Sequence, residues 1–245
     1  MGARPDTRSG LWGALDRYPF TIGVACALVL LFLFAGFRSG GWPIHPDLRL
    51  ALGANSSDLV LREPWRLLTS AFLHYEPLHL VLNLLVLVYW GRLAEIHYGS
   101  SRLFVLYMVC ALAGSVLSTL WQELLVWAGM AQGSVASVGA SGAMFGLLFL
   151  LLITAQRAPA RLGTLLMPLR AWIGMAFIIA FLVVGPIDHA NHLGGALTGA
   201  GLALLFEPRP GEDLAPAWGA WALAMALGLL ASFARIMWAL RGLEL

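Results

Sequence analysis

Seven apolar runs divide this 245-residue chain, at 20–37, 78–93, 103–128, 138–155, 165–186, 190–206 and 216–240. A helix that crosses a bilayer needs about 20 such residues, so each run is close to one crossing. Composition agrees: 60% of residues are hydrophobic and 11% charged, whereas soluble domains carry about 25% charged residues. The mean hydropathy is +0.80. These features exclude a water-soluble fold and imply an all-α polytopic membrane protein. Its net charge of +2 comes from scattered arginines with no lysine, which leaves nucleic acid without a basic patch to bind. Cys26 and Cys110 fall inside apolar runs and read as small buried hydrophobes.

Residues 1–19 are polar and precede a run too long for a signal-peptide core, which therefore reads as a retained first span. Gly2 lacks the Ser or Thr four residues on that myristoylation prefers. One connection is long, 38–77, rich in Gly, Pro and polar residues with an amphipathic stretch at 59–72 that suits the membrane surface. Arginines gather in the N-terminus and in the links after spans two and four. The positive-inside rule then makes the N-terminus cytoplasmic and, with seven spans, the C-terminus external. The long loop, with Arg38, Arg49, Arg62 and Arg66, works against that orientation. The expected setting is a plasma or bacterial inner membrane.

Polar groups in hydrocarbon are costly unless paired, so those inside spans are functional candidates. Four stand near the starts of even-numbered spans: His79 and Asn83, Ser141, and His192. All even-numbered spans run inward from the outer face, which puts the four at one depth. His79 and Asn83 are spaced i, i+4 and share a helix face. Ser141 follows a glycine-containing stretch, 129–138, of the kind that forms irregular backbone; at membrane depth such backbone lines a cavity or is buried in protein. Gly142-x-x-x-Gly146 in span four and Gly195-x-x-x-Gly199 in span six let the two helices approach backbone to backbone. That approach would bring Ser141 and His192 within reach, a nucleophile and the base it requires. The N–H of Ser141, with His79 and Asn83, would supply oxyanion donors.

Bland readings compete with each of these. Serines in membrane helices mostly bond to backbone, as Ser115, Ser118 and Ser137 are expected to do. The soluble-hydrolase pattern G-x-S-x-G is broken at Ala143. His189 competes as base, but beside Asp188 it reads as a cap or ion-pair residue. His74 and Glu63 read as structural, and His45 and His97 as interfacial. His189 and His192 find no completing metal ligands in the sequence, and no metal or cofactor is expected. Asn55-Ser56-Ser57 is a glycosylation sequon that matters only in a secretory host.

Taken together, Glu63-x-Trp65-Arg66, His74, His79-x-x-x-Asn83, Gly91-x-x-x-Glu95, Gly139-x-Ser141-Gly142 and His192-x-x-Gly195-x-x-x-Gly199 resemble the motifs of the rhomboid intramembrane serine proteases, over about 63–206. The resemblance implies a six-span core, here 20–206, with a catalytic Ser141/His192 dyad. It further implies oxyanion support from His79, Asn83, Gly139 and Gly142, a Trp65-Arg66 loop partly in the outer leaflet, and lateral substrate access gated by span five or the loop after it. Span 216–240 lies beyond that core and resembles the six-plus-one variant. Phe145, Tyr in some relatives, keeps a ring to pack on His192. The expected function is endoproteolysis of transmembrane segments of other membrane proteins, near their outer ends. The rival readings are a non-catalytic membrane-protein binder and a solute or proton transporter.

Overall fold

The computed structural model describes residues 17–182, 187–208 and 216–242. The expected cytoplasmic segment falls mostly outside the described residues, as do 183–186, which include the end of the fifth run. Among the described residues the long helices are α1 (Pro19–Ser39), α2 (Pro77–Tyr98), α3 (Ser100–Trp127), α4 (Ser141–Arg157), α5 (Leu166–Leu182), α6 (His189–Leu205) and α7 (Pro216–Ala239), and five of the helical stretches are long and apolar enough to cross a membrane. Among the described residues there is no strand, only one antiparallel bridge between Asn55 and Ser137. The protein is an all-α integral membrane protein with several spans.

Local chemistry sets the helix ends. Pro19 and Pro77 open α1 and α2, where a missing N–H costs nothing. Gly40 closes α1 in the left-handed region at φ 71°, returning its N–H to Gly36 O. The second helix differs from expectation: it runs on to Tyr98 and widens into a π turn at Leu87–Gly91. It can carry Glu95 because that carboxylate is fully used. It accepts from the N–H groups of Phe20 (2.7 Å) and Thr21 (3.0 Å) and from the hydroxyls of Thr21 and Ser100. Glu95 thus satisfies the unpaired first donors of α1 and fixes α1, α2 and α3 at one end. Gly91 lies on the same face, where an added Cβ would sit 3.4 Å from Thr21 Oγ1.

Pro168, expected to disturb the fifth span, falls in the first turn of α5, where no intrahelical bond is lost. The stretch 59–72, expected as an amphipathic surface segment, is instead three short turns: Ser57–Val60, Arg66–Thr69 and the 3₁₀ turn Ser70–Phe72. They bury Arg66, Thr69, Ser70 and Phe72. Arg66 holds the loop together, donating to Glu63 (Nε to Oε2, 2.6 Å) and to the carbonyls of Leu50 and Ala54.

Helix α4 is the core. Residues Gly142–Leu148 are all buried, with α6 and α3 against it and α5 and α2 at its flanks. At 17 residues each, α4 and α6 are about 25 Å long, shorter than the ~30 Å hydrocarbon layer. Glycines permit the close α4–α6 packing. A Cβ on Gly195 would overlap the carbonyl of Gly142, and one on Gly199 the carbonyl of Gly146. Gly146 also faces α3, where a Cβ would stand 2.5 Å from Cys110 Cβ. α5 and α7 bury the least surface, as peripheral helices facing lipid would.

Candidate active site

Ser141 is the first residue of α4, and His192 lies in the first turn of α6. The glycine contacts draw these helix starts together, leaving Ser141 Oγ 2.7 Å from His192 Nε2. With its proton on Nδ1, the imidazole can accept the Ser141 hydroxyl hydrogen. The ring is held flat against Phe145, centroids 4.4 Å apart and planes 18° from parallel. Phe145 in turn meets Phe177 of α5 edge-on at 5.6 Å.

The backbone before Ser141 is strapped to the long loop. Asn55 and Ser137 exchange two N–H···O bonds (2.9 and 2.8 Å), and Gly139 N–H donates to Ser70 O at 3.0 Å. Gly139 has φ +136°, and a Cβ there would fall 2.6 Å from His79 Cε1. His79 therefore stacks on bare backbone beside Ser141. Gly139→Ala is expected to strain the turn and displace His79, at a cost of roughly 1–3 kcal/mol. Thermal unfolding and cleavage rates measured side by side should both fall.

Asn83, expected to support the oxyanion, lies one turn after His79 on the same helix. Its Nδ2 donates to His79 O on its own helix at 2.9 Å, so it secures the turn that carries His79. Gly142 is used for packing: a Cβ there would overlap the Asn191 side chain. The resemblance implies oxyanion support at Gly142, and its place in the first turn of α4 leaves its N–H without an intrahelical acceptor.

Two residues were not singled out from the sequence. Asp188, not His189, caps α6: its Oδ1 accepts from Asn191 N–H at 2.9 Å. Its Oδ2 accepts from Ser137 Oγ at 2.7 Å and from Ser118 Oγ. One carboxylate thus ties the helix that bears His192 to α3 and to the segment leading into Ser141, through Ser118 and Ser137. Asn191, buried, is wedged between Gly114 of α3 and Gly142 of α4. The available signal was an Asp immediately before an apolar helix, the mark of an N-cap. The His189 ring stands 6.3 Å from that of His192, edge-on.

Of the loop residues, Glu63 pairs with Arg66 as a structural reading requires. His74 does not follow its structural hydrogen-bonding expectation: it is buried, its ring 4.9 Å from that of His79, and neither nitrogen has a hydrogen-bond partner among the described residues. Burial, and secondarily His79, push its pKa well below the usual value. The folded state therefore refuses a proton that the unfolded chain takes up near pH 6.5. Stability should fall as pH drops through that value, and His74→Phe should flatten the fall in detergent unfolding scans from pH 7.5 to 4.5. Asn55 is buried, its amide donating to Ser115 O at 3.1 Å, so this fold leaves no room for a glycan on the sequon it opens. Among the described residues no three His, Cys, Asp or Glu side chains cluster as metal ligands would.

Residues 61–209 match the Rhomboid domain. The chain belongs to the rhomboid family. RHOMBOID-like protein 5 of Arabidopsis thaliana is 37% identical over 175 residues, 69% of this chain and 53% of that protein. Rhomboid protease GluP of Bacillus subtilis (strain 168) is 33% identical over 181 residues, 71% of this chain and 32% of that one. Rhomboid-like protease 3 of Toxoplasma gondii is 29% identical over 201 residues, 80% and 72%. The chain spans about half the length of the first of these. The matched rhomboid segment starts inside the long loop and ends just past α6, so α1 and α7 lie outside it.

Proposed function

We propose that this protein is an intramembrane serine endopeptidase that cleaves transmembrane segments of other membrane proteins through an acyl-enzyme. The observation that carries the reading is the 2.7 Å contact between Ser141 Oγ and His192 Nε2, made by two helices whose first turns meet inside a membrane fold. As Ser141 Oγ attacks the scissile carbonyl, its proton passes to His192 Nε2. The oxyanion is received by the N–H groups opening α4, which have no intrahelical acceptor, with His79 alongside. The C–N bond then breaks, and the amine leaves with the proton from His192. Water, deprotonated by the same nitrogen, adds to the acyl group and restores the Ser141 hydroxyl. No acidic third member is required in this scheme. Phe145 fixes the ring plane, and Asp188 fixes the helix that bears it.

Substrate reaches the site from the lipid, past α5. That helix is thinly packed and touches its neighbours through aromatic pairs: Trp172 stacks on Tyr89 of α2 at 5.8 Å, and Phe177 meets Phe145. A helical substrate must expose a backbone carbonyl, so small or helix-destabilising residues should mark the cut. The arginine pattern supports a cytoplasmic N-terminus and cleavage near the outer face of a plasma membrane. Under this reading α1–α6 form the catalytic core and α7 the extra span of a six-plus-one arrangement.

The test is cleavage of a panel of single-span substrates in proteoliposomes, with product ends mapped by mass spectrometry. The reading expects cuts inside the span, in its outer half, that vanish in Ser141→Ala. Client binding without cleavage, unchanged in Ser141→Ala, would instead favour the non-catalytic binder.

A further inference from the structure

Helix α7, outside the matched domain, packs on α3 and sets Trp218 near its start against Phe206; its other end docks on the long loop, and that docking leads toward Ser141. The C-terminal part of α7 meets the long loop at three points. Arg235 places its guanidinium carbon 4.4 Å above the Trp65 ring. Phe233 meets Phe72 edge-on at 6.5 Å and 84°. Ile236, buried, lies where its Cδ1 would be 3.0 Å from a Cβ on Gly53. An arginine near a helix end ordinarily turns its charge toward water or headgroups; this one covers an aromatic face of the same protein.

The contacted loop is rigid and continues to the site. Thr69 Oγ1 donates to Gly53 O at 2.8 Å, and Arg66, next to Trp65, is bonded to Glu63, Leu50 O and Ala54 O. Ser70, five residues beyond Trp65, accepts the Gly139 N–H, and Asn55 of the same loop pairs with Ser137. Gly139 carries the turn against His79 and stands two residues before Ser141. An unbroken path of packed and bonded groups thus runs from α7 through the loop to the oxyanion side of the site.

We propose that α7 is a brace for this loop and that Arg235 is a positioning residue. By holding Trp65, it keeps the loop, and through it the Gly139 turn, in the geometry the acylation step uses. The proposal rests on the endopeptidase reading above. It assigns the additional helix a role in turnover, where a lipid-facing anchor would have none. Arg235 touches neither substrate nor the reacting atoms, so its effect should appear in kcat and not in KM.

The experiment uses the full chain in proteoliposomes with one cleavable single-span substrate. It takes Arg235→Ala, Arg235→Lys, Trp65→Leu and the Arg235→Ala/Trp65→Leu double variant through full kinetics and thermal unfolding. Arg235→Ala is expected to lower kcat about two- to fivefold, the loss an exposed cation–π contact can supply. KM should stay within about twofold and the unfolding midpoint should be unchanged. Arg235→Lys, which keeps the cation, should recover most of the rate. The double variant should be no slower than Trp65→Leu alone, since one contact is lost only once. Unchanged kcat in Arg235→Ala, equal loss in Arg235→Lys, or additive losses in the double variant would overturn the brace. If Arg235→Ala does not fold, Arg235→Lys and Trp65→Leu still decide, because the proposal requires the first to be near wild type and the second to be slow. Absence of Ser141-dependent cleavage in the wild-type protein would instead remove the endopeptidase reading itself.

Discussion

Ser141→Ala is expected to reduce kcat/KM by at least about 10⁴-fold, and His192→Ala by a similar factor. In the proposed mechanism alanine at 141 removes the atom that forms the acyl bond, and Ser137, committed to Asp188, does not replace it. Alanine at 192 leaves the hydroxyl without the nitrogen 2.7 Å away that takes its proton. The two losses should not multiply. Each variant halts the same step, so the double variant should be about as slow as either single one. His192→Ala also loses the ring stacked on Phe145, whereas Ser141→Ala gives up only its hydrogen bond to His192, and the thermal unfolding midpoint of Ser141→Ala should stay close to wild type. Initial-rate measurements on one substrate, with matched unfolding scans, check both halves of this expectation.

Gly199→Ala is expected to have a large effect on folding. A methyl group there has no space, because its position is occupied by the carbonyl of Gly146. That carbonyl belongs to a buried helix in the middle of the fold and cannot swing aside as a flexible side chain would. Separating α4 from α6 should cost about 1–3 kcal/mol or more, and it should part Ser141 from His192 in the same movement. Gly201, two residues on in α6, has nothing within 4 Å of an added Cβ. Gly201→Ala should therefore be neutral or slightly stabilising, since alanine favours helix over glycine by up to about 1 kcal/mol. Unfolding midpoints of the two variants in one detergent, with residual activity, provide the comparison.

Much of the architecture is readable from the chain because a bilayer makes severe demands. Each crossing must be apolar for most of its length, and the runs at 20–37, 103–128 and 216–240 come within three residues of α1, α3 and α7 at either end. The approach of Ser141 to His192 is legible for a related reason. Backbones can only touch where Cβ atoms are missing, and the glycine pairs in α4 and α6 mark that line in the sequence.

What stays hidden is whatever depends on partners distant in the chain. Glu95 prolongs α2 beyond its apolar run because it finds the first N–H groups of α1, 74 and 75 positions away, and no local pattern reports that. Asp188 resembles an ordinary cap until Ser118 and Ser137 arrive from elsewhere. Asn83 has the spacing to point beside His79, yet it bonds one turn back on its own helix, a choice i, i+4 periodicity cannot distinguish. The loop 38–77 has an amphipathic stretch but is shaped by the buried Arg66 and by its pairing with 137–139.

The central claim is that Ser141 is a nucleophile activated by His192. The most direct measurement is labelling by a fluorophosphonate probe, with the modified residue identified by peptide mass. The account predicts one adduct, on Ser141, formed by the wild-type protein, absent in Ser141→Ala and strongly slowed in His192→Ala. Labelling that persists in Ser141→Ala, or a folded wild-type protein that takes up no probe, would contradict it.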